Sequence, residues 1–484
     1  MDITIHLFLS LLIHYYSKKA GIEGRKFLDY QVAIVGAGPA GIFAALELLK
    51  RGIESILIIE KGAPLEERQC PMKEKRECQR CIPCRILSGW GGAGAFSDGK
   101  LTLSPKVGGF LGDIIGESEL QNLIQEVDRG FVAFGAPEVI YGSNAGALEE
   151  LEDRCVRAGL RFIPVPIRPM GTDRCREVLR NLYQHLKPQV DVIFKQEVIS
   201  LSLQGEIKEL TTKDGKTYRA RYLILAPGRE GNLWLKKQLS PLGVNFHTNP
   251  VDVGVRVEVP AQIMEEVTSL TYEMKIIYNT PTFDDQVRTF CMCPHGEVVM
   301  ENRGGIFTVN GHSYMDSHSP NTNFALLVKT TFTYPFQSPV AYGEYLARLA
   351  NLLTGAVIVQ RLGDLKRGRR STQERIDRGM VKPTLTQAVP GDLSFALPYR
   401  YLVDVTEMLE AMDKVIPGVN SRHTLLYGIE VKFYSLRPMI TSEMETPIPG
   451  LFVAGDGAGI SRGLIQAAAS GILAARAIAR RQGL

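Results

Sequence analysis

The stretch VAIVGAGPAGIFAALELLKRGIESILIIEKG, residues 32–62, leaves this chain few folds to choose from. Residues 32–35 form a continuous apolar run, as expected of a parallel strand buried on both faces. Gly36, Gly38 and Gly41 follow as G-x-G-x-x-G at a strand-to-helix turn. The first glycine permits the tight turn, the second lets a diphosphate approach, and the third allows close helix–strand packing. The expected cradle is therefore Gly36, Gly38, Pro39, Ala40 and Gly41, with the N–H groups of the helix start aimed at the anion. Ile42, Leu46 and Leu49 make an apolar helical stripe, and Gly52 is placed to end the helix. SILIIE reads as the second strand. It ends in Glu60, 19 positions after Gly41, where a carboxylate can hold a ribose diol, with Lys61 beside it. An acid at that place favours a free 2′-hydroxyl, hence FAD or NAD over NADP.

A chain of 484 residues is too long for one ordinary core and predicts two domains. Hydrophobic content of 45%, charged content of 22% and a net charge of +4 describe a soluble globular protein and give no reason to expect a nucleic-acid partner. The basic run KRGRR, residues 366–370, lacks aromatic neighbours and reads as a solvated face. HLFLSLLIHYY, near the N-terminus, is too short to span a bilayer, and Lys18 and Lys19 follow it instead of preceding it as in a secretory signal. The expectation is an N-terminal extension over residues 1–29, no integral membrane segment and a cytoplasmic protein.

The choice between FAD and NAD is made further along. EIKELTTKDGKTYRARYLILAPGRE places a hairpin turn at Asp214-Gly215 and then an apolar strand leading to Gly228. IPGLFVAGDGAGISRGLIQAAASGILAARAIARR places a strand before Gly455-Asp456 and then a helix of small residues, Ala467, Ala468, Ala469, Gly471, Ala474 and Ala475. Together these segments resemble the glutathione-reductase-like FAD superfamily. The resemblance implies FAD, with Asp456 at the ribitol chain and Gly463, Leu464 and Ile465 aimed at the flavin pyrimidine. It also implies a backbone contact to adenine at Val198 and a glycine motif at Gly228 near the cofactor. A positive helix end near the flavin suits the negative charge of its reduced form. No second G-x-G-x-x-G unit is evident, which leaves NAD(P)H as a transient electron donor. The expected fold class is α/β, with a discontinuous Rossmann-like FAD-binding domain of parallel sheet plus β-meander over residues 30–109, 169–248 and 428–484. Residues 110–168 read as a helix-rich insertion. Residues 249–427 read as a second, mixed α+β substrate domain with an antiparallel sheet.

SGWGGAGAFSDGKLTLSPKVGG, RTFCMCPHGEVV and GDGAGISRGLIQAAASG carry a narrower likeness. From about residue 30 onward the chain resembles a bacterial family of largely uncharacterised FAD-dependent dehydrogenases. Gly91, Gly92 and Gly94 strip side chains from a segment suited to lie on the cofactor, and Ser97, Asp98 and Lys100 follow with a donor, an acceptor and a cation.

Four of the eight cysteines, Cys70, Cys78, Cys81 and Cys84, crowd together with spacing C-x7-C-x2-C-x2-C. Three readings stand: a zinc or iron–sulfur site, a redox dithiol at Cys81 and Cys84 beside Arg80 and Arg85, or structural thiols. Cys291 and Cys293, two apart on an apparent strand, are expected to face the same way. Candidate reacting groups are Lys100, His295 and Arg462, with Tyr427 and Glu430 also placed for electrostatic roles. No G-x-S-x-G elbow supports hydrolysis. The expected function is an FAD-dependent oxidoreductase that passes hydride between flavin N5 and a small-molecule substrate or carrier at the domain junction. The alternatives are a flavin plus iron–sulfur electron-transfer protein, an FAD-binding redox sensor and a polyprenyl reductase.

Overall fold

The computed structural model describes residues 28–71, 79, 81–96, 99–303, 305–313, 318–332 and 338–484. The first sheet is built on strands β1 (Leu28–Val35), β2 (Ile56–Ile59), β3 (Asp191–Ile193), β4 (Val198–Gln204), β5 (Ile207–Thr212) and β6 (Thr217–Leu225). Their order is β3-β2-β1-β6-β5-β4. The β3, β2, β1 and β6 strands run parallel, and β4, β5 and β6 form an antiparallel meander. The meander occupies only the first half of β6, Thr217 to Ala220. Along its second half, Leu223 to Leu225, lies the parallel strand Leu451–Val453 from far along the chain. Residues 1–27 of the expected N-terminal extension lie outside the described residues, and β1 begins at Leu28, ahead of the apolar run that announces it.

The helices are α1 (Pro39–Lys50), α2 (Glu117–Ala133), α3 (Ala145–Arg157), α4 (Gly171–Leu186), α5 (Ala261–Thr271), α6 (Pro339–Thr354), α7 (Tyr399–Asp413) and α8 (Leu464–Arg481), of which α1, α2, α4 and α8 pack into the core of this sheet. The small residues of α8 bring it onto α1 at close range: a β-carbon on Gly471 would lie 2.0 Å from the Ala40 carbonyl oxygen. Because α1 is covered on several sides, its buried residues include Phe43, Ala44 and Leu48, while Leu46 and Leu49 of the expected stripe are only partly buried. Arg476 ties three helices together, donating to Glu47 at 2.8 Å and to Glu126 at 2.7 Å.

The second sheet comprises β7 (Val251–Pro260), β8 (Lys275–Asn279), β9 (Gln286–Cys293), β12 (Asn321–Thr330), β13 (Ile358–Arg361) and β14 (Leu425–Lys432), with a separate hairpin of β10 (Glu297–Arg303) and β11 (Ile306–His312). Its order is β13-β14-β7-β12-β9-β8, with Val389–Pro390 and Arg161–Ile163 at the edges. In β7 every second residue, Val251 through Val259, enters an apolar core with α5, α6 and α7. The alternate residues Asp252, Arg256 and Glu258 are buried as well, on the opposite face. Residues 110–168, expected as one insertion, are divided: α2 joins the first core, and α3 joins the second. In β9 the register shifts between Phe290 and Cys293, and Cys291 has φ +45°, so simple alternation does not describe the two cysteines.

Candidate functional site

Four glycines at the two helix starts, three of the G-x-G-x-x-G motif and Gly463, answer to different demands. Gly36 has φ +106°, and a β-carbon there would lie 2.2 Å from the Ala226 carbonyl oxygen, so it joins the turn after β1 to the end of β6. Gly41 faces the Gly36 carbonyl oxygen at 2.0 Å by the same measure. These two are required by the chain itself. Gly38 differs: it is the N-cap of α1, with φ −81° and ψ −177°, a conformation open to any residue. The nearest atom to a β-carbon at Gly38 would be Gly92 Cα at 3.9 Å. Gly463, the N-cap of α8, has φ −156° and ψ 166°, and nothing lies within 4 Å of where its β-carbon would be. Neither backbone strain nor internal packing asks for glycine at Gly38 or Gly463. Neither helix start carries a side-chain cap, so both present backbone N–H groups at an open cradle.

The carboxylate of Glu60, 5% exposed, joins three parts of the chain. It accepts from the N–H groups of Ala37 at 2.9 Å, Gly62 at 2.8 Å and Gly89 at 2.9 Å. A carboxylate has about four acceptor positions, so capacity remains for a hydroxyl. The neighbouring Lys61 pairs with Glu230 at 3.3 Å. The segment that contains Val198 is brought alongside by backbone bonds from Glu60 to Ile193 and from Gln196 back to Glu60. Val198 itself is buried at the start of β4.

The loop carrying Gly91, Gly92 and Gly94 lies directly on the two helix starts. Gly91 N–H donates to the Ala37 carbonyl at 2.8 Å. A β-carbon on Gly92 would meet Gly38 Cα at 3.1 Å, and one on Gly94 would meet the Leu464 side chain at 2.5 Å. Ser97 and Asp98 lie outside the described residues. The loop is held by a residue that the sequence reading missed. Arg68 is fully buried and donates to the carbonyls of Arg85, Ile86, Trp90 and Gly92. Burial lowers its pKa to about 10. An isolated arginine in a loop gives no periodic signal in the sequence.

The third segment closes the same region. Gly455, at φ +74°, places its missing β-carbon 3.0 Å from Ala40 Cβ. Asp456 accepts from Ser461 Oγ at 2.6 Å and lies 3.4 Å from Arg229 Nε, and burial raises its pKa. Gly228, at φ +68°, packs its backbone against Gly457. Leu464 stands over Gly94, and Ile465 is buried.

Beyond the α8 start, Arg462 stacks over Tyr434 at 3.5 Å and over Phe110 at 4.3 Å. Its buried Nε has no hydrogen-bond partner. Lys100 is buried against Glu273 at 3.4 Å and donates to the Met292 carbonyl. His295, at φ +48°, sits with Nδ1 3.2 Å from the Ser319 carbonyl and its ring edge-on to His318. Tyr427 and Glu430 are fully enclosed: Tyr427 donates to Glu258 at 2.5 Å, and Glu430 pairs with Arg256 at 3.1 Å. Cys78 and Arg80 lie outside the described residues. Among the described residues no group of three His, Cys, Asp or Glu side chains is arranged to hold a metal. Cys81 and Cys84 are not joined in a disulfide.

Residues 30–236 match the model described as pyridine nucleotide-disulphide oxidoreductase, residues 250–433 that described as FAD-dependent protein, C-terminal domain-like, and residues 402–483 that described as glucose inhibited division protein A. The chain is an FAD-dependent oxidoreductase. A curated relative of this flavoprotein, an uncharacterised protein from Clostridium beijerinckii, is 27% identical over 481 residues, covering 94% of this chain and 82% of the relative. Among solved structures, glycine oxidase from Geobacillus kaustophilus is 14% identical with a TM-score of 0.42, covering 94% of this chain and 95% of its own. The 3-ketosteroid-delta4-(5alpha)-dehydrogenase from Rhodococcus jostii RHA1 is 13% identical with a TM-score of 0.45, covering 95% and 98% respectively. No helix among the described residues of the flavoprotein is long and apolar enough to cross a membrane.

Proposed function

We propose that FAD lies extended from Glu60, across the starts of α1 and α8, toward Arg462, and that the enzyme passes hydride to or from a small molecule at the junction with the second sheet. The observation that carries this reading is the pair of open glycines, Gly38 and Gly463, at two uncapped helix starts. Glu60 would accept from the adenosine ribose with its remaining lone pairs, beside the backbone near Val198. The N–H groups at the α1 start would hold the diphosphate under the Gly91–Gly92 turn, and Asp456 would face the ribitol. The positive end of α8 would stabilise negative charge on the pyrimidine side of the flavin. FAD bound there supplies hydride uptake and release at its N5 atom. The chain's own part is to orient the two reactants and to exclude water between the glycine loop and the second sheet.

The purified protein is expected to carry FAD, and Gly463→Val is expected to lose it while keeping its circular dichroism and the thermal midpoint of the flavin-free parent, because no protein atom lies within 4 Å of the β-carbon position. Full flavin content in Gly463→Val would overturn the placement. The same preparation, made without air and assayed for iron, sulfide and zinc, distinguishes the readings of Cys70, Cys78, Cys81 and Cys84. Flavin bleaching on addition of NADH or NADPH tests the transient-donor reading.

A further inference from the structure

The inner face of the second sheet holds more positive than negative charge. Glu273 is shared by two cations, Lys100 at 3.4 Å and Lys275 in direct contact. Glu430 is likewise shared by Arg256 at 3.1 Å and Lys432 at 2.8 Å. Asp252 contacts Arg288 and accepts from Tyr434, the ring on which Arg462 is stacked. These three buried carboxylates thus stand among six cations, and the fourth buried carboxylate of this face, Glu258, contacts none of the six: it is bonded to Tyr427, Thr384 and Asn321, and burial raises its pKa. The surface residue Glu301 adds one more negative charge near Lys432.

The surplus converges on Phe290. Lys275, Arg288 and Lys432 lie 5.1, 5.3 and 5.6 Å from its ring centre. Each of the three also contacts one of the carboxylates Glu273, Asp252 and Glu430, and the ring adds a weak attraction without supplying the further negative charge that Lys100, Arg256 and Arg462 leave wanting. Most of these groups are buried: Lys100, Lys275 and Lys432 are 7%, 12% and 10% exposed, and Arg256 is fully enclosed. Unmatched buried charge is costly unless an opposite charge meets it. Two donors on this face also lack acceptors. Arg462 Nε has none, and Asn323, itself fully buried beside Arg256, has an unpartnered Nδ2. Phe290, Lys275, Arg288 and Arg462 are only partly buried, so the group is reachable from solvent.

We propose that this face binds the substrate of the enzyme and that the substrate is an organic acid with more than one ionised group. Cations that share carboxylates keep hydrogen-bonding capacity for a ligand, and the Phe290 ring supplies a surface for its carbon skeleton. This inference rests on the reading that reactants meet at the junction, and its test is independent of turnover.

The test is isothermal titration calorimetry on flavin-replete protein with citrate, succinate and the neutral isostere succinamide. Citrate and succinate are expected to bind saturably, citrate more tightly, and succinamide not at all. Lys432→Gln and Lys275→Gln, each checked for folding and flavin content, are expected to weaken citrate binding by about tenfold or more, the scale of one charge-assisted contact. Binding of succinamide like succinate, no saturable heat from either acid, or citrate affinity unchanged in both folded variants would overturn the proposal. Full flavin content in Gly463→Val together with saturable citrate binding would sink the cofactor placement and leave this inference standing.

Discussion

Gly471 of α8 lies against the carbonyl of Ala40 in the first turn of α1, so that even a methyl group would sit 2.0 Å from that oxygen. This contact fixes the distance between the two helix starts assigned to the cofactor. Gly471→Ala is therefore expected to cost about 1–3 kcal/mol through overpacking and to reduce flavin occupancy with it. Urea unfolding and the flavin-to-protein absorbance ratio check both effects. Unaltered values would show that the helices separate freely.

Arg68→Met keeps the volume of the side chain but leaves four carbonyls without their donor. A loss of about 2–4 kcal/mol is expected, with Arg68→Lys recovering only part of it because an ammonium lacks the planar fork. Hydrogen exchange should show faster opening in residues 85–92 than elsewhere. Uniform exchange in the variant would overturn the clamp.

Asp404 is fully buried, with one oxygen bonded to Thr280 and the other unpartnered. Burial pushes its carboxyl up to about 6, helped by Asp285 and opposed by Thr280 and Arg400. A carboxyl raised on folding favours the fold below its unfolded value of 3.8 and loses that contribution as pH rises through about 6. Asp404→Asn is expected to be more stable than the parent at about pH 8 and to lose that advantage near pH 4. Parallel stability curves for the two proteins would refute the assignment.

Glu273 has the opposite sign. Burial alone would raise its pKa, yet Lys100 and Lys275 together hold it down to about 2. Its contribution is present above the unfolded value of 4.5 and is lost as pH falls from there toward about 2. In Lys100→Met one cation remains, so acid unfolding should begin at higher pH. A circular-dichroism titration that superimposes on the parent would contradict this.

The first sheet was legible because buried parallel strands and glycine turns leave local marks in sequence. G-x-G-x-x-G, Glu60 and the small-residue helix are joined as their patterns suggest: Glu60 accepts from Ala37 in the glycine turn, and Gly471 of the helix packs on Ala40. The second sheet was legible in class but not in meaning. VDVGVRVEV alternates as a half-exposed strand would, yet Asp252, Arg256 and Glu258 face an interior as closed as that of the valines. Alternation reports two chemically different faces and says nothing of what covers the polar one. Arg68 was invisible for another reason: its partners are backbone carbonyls, which leave no trace in side-chain patterns.

The strand Leu451–Val453 fills the half of β6 that the meander leaves unpaired, and α8 follows it onto α1. A nascent chain that has reached only residue 450 has therefore made Glu60 and the glycine turn but has part of β6 unpaired and the side of α1 that α8 covers bare. Such long-range closure is slow relative to local folding. On the proposed placement, uptake of the nucleotide would wait on synthesis of the α8 segment, which would make cofactor capture a late checkpoint in biogenesis and expose stalled or shortened chains to proteolysis.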